Sequence, residues 1–108
     1  MSLDFFDDVS GEAQALGLSG IVMVHVSLGE AFRDGRSLQL MLQAVLAVID
    51  QTRPAVGTRT VEIPVWLRTQ DNEPALVNLS VTVRQFSEAL SNRLILVDWY
   101  LMEGGDVQ

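Results

Sequence analysis

The sequence predicts an α+β fold, a two-layer sandwich in which one long helix packs on a mostly antiparallel four-stranded sheet. Two runs of alternating apolar and polar residues, 60–69 and 75–84, flank a short polar turn, which is the pattern of an antiparallel hairpin. A β-branched run at 21–28 and an apolar run at 93–102 predict two further strands. Between the first strand and the hairpin, residues 38–51 repeat apolar side chains at helical spacing, which predicts the long helix.

The N-terminal segment, residues 1–19, is acidic and predicts a short helix. Asp8 or Ser10 is placed to cap this helix, because the side chain of either residue can accept a hydrogen bond from a free backbone N–H group. Gly17 and Gly20 mark the end of the helix and the approach to the first strand.

The first strand has one purely apolar side, which we expect to lie against the core. Successive side chains of a strand point to opposite faces of the sheet. The apolar set is Val22, Val24, Val26 and Leu28. The opposite set is Ile21, Met23, His25 and Ser27. His25 is therefore expected on the face of the sheet that turns away from the long helix.

The long helix is apolar around most of its circumference. Ser37 is placed as its N-cap. The polar residues within 38–51 are Gln39, Gln43, Asp50 and Gln51. One sheet covers only one side of a helix, so we expect this helix to be buried on more than one side.

The two hairpin strands are expected to point their apolar residues inward. The inward set is Val61, Ile63, Val65 and Leu67 on one strand and Ala75, Val77, Leu79, Val81 and Val83 on the other. The outward positions include Trp66, Arg68 and Leu76.

The element order is β-α-β-β-(short α)-β, which is also the order of a ferredoxin-like sandwich. Residues 85–92 supply the short helix or a long turn, and residues 103–108 are expected to be a loose tail. Pro64 fits an edge strand, because proline cannot donate to the ladder. The last strand would form the other edge, although it is apolar on both faces. A three-strand meander with a helix across one face is the alternative.

Length and composition limit the chemistry. The 108 residues are the length of one domain, 1–108. There is no Cys and one His, which excludes disulfides, Cys-ligated metals and zinc sites built from several imidazoles of one chain, so we expect no metal and no cofactor. Fourteen acidic residues against seven Arg and no Lys disfavour nucleic acid and anionic membranes as partners. The N-terminus has no basic region and no run approaches the ~20 apolar residues of a membrane span, so we expect a cytoplasmic location.

The mean hydropathy of +0.25 is high for a small soluble domain. A domain of this size buries only about 60–70% of the surface that its unfolded chain exposes. We therefore expect a large exposed apolar patch or self-association, with a homodimer as the favoured oligomer.

His25 and Asp98 are the candidates for catalysis. Both are expected on the outward side of the sheet with Tyr100, and imidazole can act as an acid or a base near neutral pH. The alternative interpretation is a half-buried histidine held by a hydrogen bond.

The loop at 29–36 is a second candidate site. Arg33 and Arg36 stand beside a helix N-terminus, where backbone N–H groups favour an anion. Glu30 and Asp34 would offset both arginines, so a solvated loop with local ion pairs is the simpler interpretation.

The outward face of the sheet is the strongest candidate, because its composition is that of an interface. Its expected ligand or interface residues are Met23, His25, Trp66, Arg68, Leu76, Leu94, Leu96, Tyr100 and Met102. We expect a non-enzymatic protein-interaction module, a small acidic homo-oligomer that docks a protein partner through this face. The alternative is a small-molecule-binding domain or cofactor-free enzyme. Its pocket would lie at the sheet face or a dimer seam, lined by His25, Trp66, Asp98, Trp99 and Tyr100.

Overall fold

Five strands and three helices make up the described part of the chain. The computed structural model describes residues 5–31, 35–49, 51, 55–68 and 73–102. The elements are β1 (Phe6–Asp8), α1 (Ser10–Ala15), β2 (Ile21–His25), α2 (Val26–Ala31), α3 (Gly35–Ile49), β3 (Gly57–Arg68), β4 (Pro74–Gln85) and β5 (Arg93–Leu101). The predicted tail at 103–108 and the first four residues of the acidic segment lie outside the described residues.

The strands form one mixed sheet in the order β1-β2-β5-β4-β3. All neighbouring pairs are antiparallel except β2 and β5, which run parallel. The α+β class is therefore confirmed, while the predicted four-stranded sheet gains β1 as a fifth strand. The ferredoxin-like arrangement, which would put the last strand at an edge, is wrong. Strand β5 lies between β2 and β4, which explains why it is apolar on both faces, and β3, β4 and β5 form the meander of the alternative prediction.

The hairpin of β3 and β4 is confirmed with its predicted faces. Ile63 pairs with Leu79, and the next pairs on the same face, Val61 with Val81 and Val65 with Val77, also join inward residues. The fully buried members are Val77, Leu79 and Val81, each with no exposed surface. Pro64 lies on β3, which pairs with β4 on one side and with no strand of the described residues on the other, so the predicted edge position is confirmed.

The predicted first strand is too long, and residues 85–92 form the long turn that was the alternative to a short helix. The first strand ends at His25, and Val26 and Leu28 belong to α2, from which Leu28 still reaches the core. Residues 85–92 contain no helix: the side-chain amide of Gln85 donates to the carbonyl oxygens of Ser87 and Ala89 and holds the segment as a turn.

The short N-terminal helix is confirmed, and of the two predicted capping residues Asp8 accepts the first N–H group of the helix, whereas Ser10 does not cap it. Its N-cap residue is Val9, which makes no side-chain cap. The N–H of Ser10 donates to Oδ1 of Asp8 at 2.9 Å, and the Ser10 Oγ accepts from the N–H of Val22 at 2.9 Å. Ser10 thus ties α1 to β2. In α3 the helix begins at Gly35, so Ser37 lies inside its first turn and is not the N-cap.

The core lies on one side of the sheet only. Buried residues of all three helices, among them Ala13, Leu28 and Leu42, form a single cluster with the inner residues of the strands. No helix of the described residues therefore covers the opposite side, which we call the outer face. A covering N-terminal helix is excluded because α1 joins the core through Ala13.

Gly20 allows the close approach of β5 to the start of β2. Its φ of +107° is unfavourable for other residues, and a Cβ there would lie 2.7 Å from Cγ of Arg93. Arg93 is buried, and its Nε donates to the carbonyl oxygen of Ser19 at 2.9 Å. The glycine and the buried arginine together fix this end of the sheet.

Candidate functional site

The outer face carries an exposed apolar corner where β3, β4 and β5 meet. Trp66 pairs with Leu76 on β4, and the N–H of Met102 donates to the carbonyl oxygen of Leu76. In the next row, Asn78 pairs with Pro64 and with Tyr100. The residues Pro64, Trp66, Leu76, Tyr100 and Met102 are hereafter the Trp66 corner. Trp66 is 63% exposed and Tyr100 is 54% exposed, so the corner presents two aromatic rings to solvent.

A polar contact beneath the corner orients it. Asn78 is only 5% exposed although its register places it on the outer face. Its amide nitrogen donates to Oε1 of Glu62, and the hydroxyl of Tyr100 donates to the same oxygen at 3.4 Å. Glu62 thereby connects the hydroxyl group of Tyr100 to the side-chain amide of Asn78.

A second apolar area lies at the other end of the outer face, on β2 and β5. Ile21 pairs with Leu94 and Met23 with Leu96. Ile21 is 52% exposed, whereas Leu96 is buried between its neighbours. The polar row of Glu62, Ser80 and Asp98 separates this area from the Trp66 corner.

His25 is engaged in holding the junction of β2 and α2. Its Nδ1 accepts the N–H of Ser27 at 3.2 Å and lies 2.7 Å from the Ser27 Oγ. That Oγ also accepts the indole N–H of Trp99 at 2.8 Å. His25 therefore caps the first turn of α2 through its Nδ1 and connects this turn to β5 through Ser27.

Two phenylalanines enclose the same imidazole ring. Phe5 stacks on His25 with ring centroids 6.3 Å apart, and Phe6 meets it edge-on at 5.3 Å. The Ser27 Oγ and His25 Nδ1 have the spacing of a nucleophile and its base. Asp98, however, accepts the N–H of Trp99 with its Oδ1, and within the described residues it makes no hydrogen bond to the imidazole. These contacts with Ser27, Phe5 and Phe6 give the His25 side chain a structural role.

The residues that the sequence analysis assigned to a small-molecule pocket lie far apart on the sheet. His25 and Trp66 lie on β2 and β3, with β5 and β4 between them, a span of about 14 Å at the usual strand spacing. Trp99 packs against the inner core cluster and so does not line the outer face. Tyr100 and Trp66 both belong to the Trp66 corner, whereas His25 lies outside it. The alternative, a pocket at a seam between two copies of the chain, stays a prediction.

A groove lies at the corner where α3 overhangs the end of β3. It has a volume of about 550 Å³ and is lined by Arg36, Ser37, Leu40, Trp66, Leu67, Arg68 and Pro74. We call it the edge groove. Arg36 and Arg68 come from different elements and meet only in the folded chain. The sequence placed Arg36 in an anion-binding loop with Arg33, which lies outside the described residues, and placed Arg68 on the outer face, so the groove itself was missed.

The described residues contain no group of three or more metal-ligating side chains. Within the same residues, no helix has the length and hydrophobicity to cross a membrane. No family model matches the chain, and neither a curated protein nor a solved structure shows significant similarity to it. Its function must therefore be argued from the surfaces described above.

Proposed function

We propose that the chain is a cytoplasmic, non-enzymatic protein-interaction module that docks through the outer face of its sheet, and that its partner there is a second copy of itself. The observation that carries the proposal is the Trp66 corner. An indole that is 63% exposed, on a strand whose opposite side is already packed, contributes nothing to the folding of one copy. Trp and Tyr are typical of the centre of protein interfaces.

A dimer interface of standard size would use a small part of the surface of the chain. A standard interface removes about 800 Å² from each partner. The chain has 6633 Å² of accessible surface, so such an interface would take about an eighth of it. Two stacked sheets lie about 10 Å apart with their side chains interdigitated, which would bury both aromatic rings of the corner.

The charge of the chain makes a distinctive prediction for this dimer. Each copy carries a net charge of −7, so two copies repel each other at long range. Salt screens that repulsion and leaves the apolar contact intact. Association through the outer face should therefore become tighter as the salt concentration rises.

The test is the solution mass of the protein and of two variants. We expect wild-type protein to be dimeric by light scattering with size exclusion at micromolar concentration, and Trp66→Ser to shift it to monomer with an unchanged circular dichroism spectrum. Leu90→Ser is the matched control, because Leu90 is 47% exposed but lies in the turn at the opposite end of the hairpin. A monomeric wild type, or equal dissociation in both variants, would contradict the proposal.

A further inference from the structure

We propose that the edge groove binds an extended acidic segment of a partner protein, which adds to the outer edge of β3 as a further strand. The inference goes beyond self-association and does not depend on it. The groove and the Trp66 corner share the Trp66 side chain, so a second copy and the bound segment would compete for that ring. It rests on the backbone of β3, on the two arginines and on the apolar walls.

The backbone of β3 offers hydrogen-bonding groups to the groove. In an antiparallel ladder the N–H and C=O of one residue point to the same side, and those of the next residue to the other. Pro64 has no N–H, so it belongs at a position that faces away from β4. By the same alternation, the backbone groups of Trp66 and Arg68 also face away from β4. Two donors and two acceptors thus border the groove.

The side chains select an acidic ligand. Arg36 from α3 and Arg68 from β3 both line the groove, in a chain whose net charge is −7. Each also makes an interaction within the chain, but a guanidinium has five N–H donors, which leaves capacity for a carboxylate. Two arginines on separate elements therefore form a fork suited to carboxylates.

The apolar walls indicate what accompanies the acidic groups. Leu40 is 44% exposed and Trp66 is 63% exposed, and both line the groove. A bound strand points its side chains alternately to two sides. Trp66 and Arg68 take outward positions of β3, whereas Arg36 and Leu40 belong to the helix on the inner side. Each row of side chains of a bound strand would therefore meet one arginine and one apolar residue, which suits a segment with acidic and apolar residues in both rows. A small anion would use the arginines but leave the strand edge unpaired, so the peptide is the better match.

The test uses two fluorescein-labelled heptapeptides, blocked at both ends. One repeats Val-Val-Glu-Glu and the other repeats Val-Val-Lys-Lys, so that both rows of side chains carry charged and apolar residues. We expect the glutamate peptide to bind the full chain by fluorescence anisotropy, more weakly at high salt, and the lysine peptide not to bind. Arg36→Gln and Arg68→Gln should each weaken binding by about tenfold. Arg84→Gln, which changes an exposed arginine outside the groove, is the matched control and should bind as wild type.

A second readout tests the strand pairing itself. Binding of the glutamate peptide should slow hydrogen exchange at the backbone amides of Trp66 and Arg68. Tyr100→Ser, which alters the outer face but not the groove, should change the oligomeric state and leave peptide binding intact, so that failure of either proposal is seen separately. No binding of the glutamate peptide, equal binding of both peptides, wild-type affinity in both groove variants, or unprotected amides at Trp66 and Arg68 would each overturn the proposal.

Discussion

Leu79→Ala measures how much of the stability depends on the inner face of the sheet. Leu79 lies in the middle of β4, has no exposed surface, and pairs with Ile63 on one side and Trp99 on the other. The substitution deletes three buried carbons, worth about 2.4 kcal/mol at ~0.8 kcal/mol each. The cavity adds to this loss, and the surrounding strands cannot close it because their register is fixed on both sides. We therefore expect a loss of about 3–4 kcal/mol in the free energy of unfolding.

The assay is urea unfolding followed by circular dichroism, at one protein concentration because self-association would couple to stability. Leu90→Ala makes the same chemical change at a residue that is 47% exposed, and should stay within about 0.5 kcal/mol of wild type. If Leu79→Ala costs less than about 1 kcal/mol with an unchanged denaturant slope, the side chain is not in a packed core and the assigned faces of the sheet are reversed.

Three further predictions concern local contacts. Gly20→Ala should destabilise the protein by more than about 1 kcal/mol, because its positive φ and the close side chain both oppose a Cβ, whereas Gly11→Ala, with open space around it, should be neutral or stabilising in a thermal melt. His25→Gln should cost about 1 kcal/mol of stability through the lost cap of α2, and any activity later found should survive it. The hydrogen bonds from the Ser10 side chain and backbone lower the pKa of Asp8. The contribution of Asp8 to folding stability is therefore present at neutral pH and is lost as the pH falls through that lowered pKa. Asp8→Asn should remove this part of an acid-unfolding curve and leave the rest unchanged.

The parts of the fold that local pattern determines could be predicted from the sequence. Alternation in β3 and β4 predicts both the pairing and the buried side of the hairpin, because one face of each strand is apolar and the other is not. The helical spacing of 38–51 similarly predicts α3 to within a few residues. In both cases the signal lies within the element itself.

The parts that depend on distant neighbours could not be predicted in the same way. Nothing in the sequence of β5 says that it pairs with β2, about 70 residues earlier, although its two apolar faces indicated an interior strand. Strand β1 is three residues long and mostly acidic, which gives no strand pattern. The helix α2 begins inside a β-branched run because Ser27 and Trp99 stabilise the turn after His25, and such tertiary contacts override local propensity.

The same distinction applies to the candidate surfaces. Alternation alone placed Trp66, Tyr100 and Met102 on one face, and the register then brought Trp66 and Tyr100 to one corner. The edge groove could not be predicted from the sequence. Arg36 belongs to a helix and Arg68 to a strand, and the spacing of apolar residues within each element does not show how the two elements pack together.

Pro64 lies on β3, next to both the outer face and the edge groove, and it favours a different partner for each of these surfaces. Two copies that paired through β3 would have to align a long stretch of edge, and the missing N–H of Pro64 would interrupt the ladder within it. Beyond Pro64 only four residues of β3 remain, up to Arg68, which suits a short peptide better than a second 12-residue strand. A second copy is thus directed to the outer face, where burial of side chains does not require backbone hydrogen bonds. Replacing Pro64 with Val would restore the missing donor, and we would then expect edge pairing and larger assemblies to compete with the dimer.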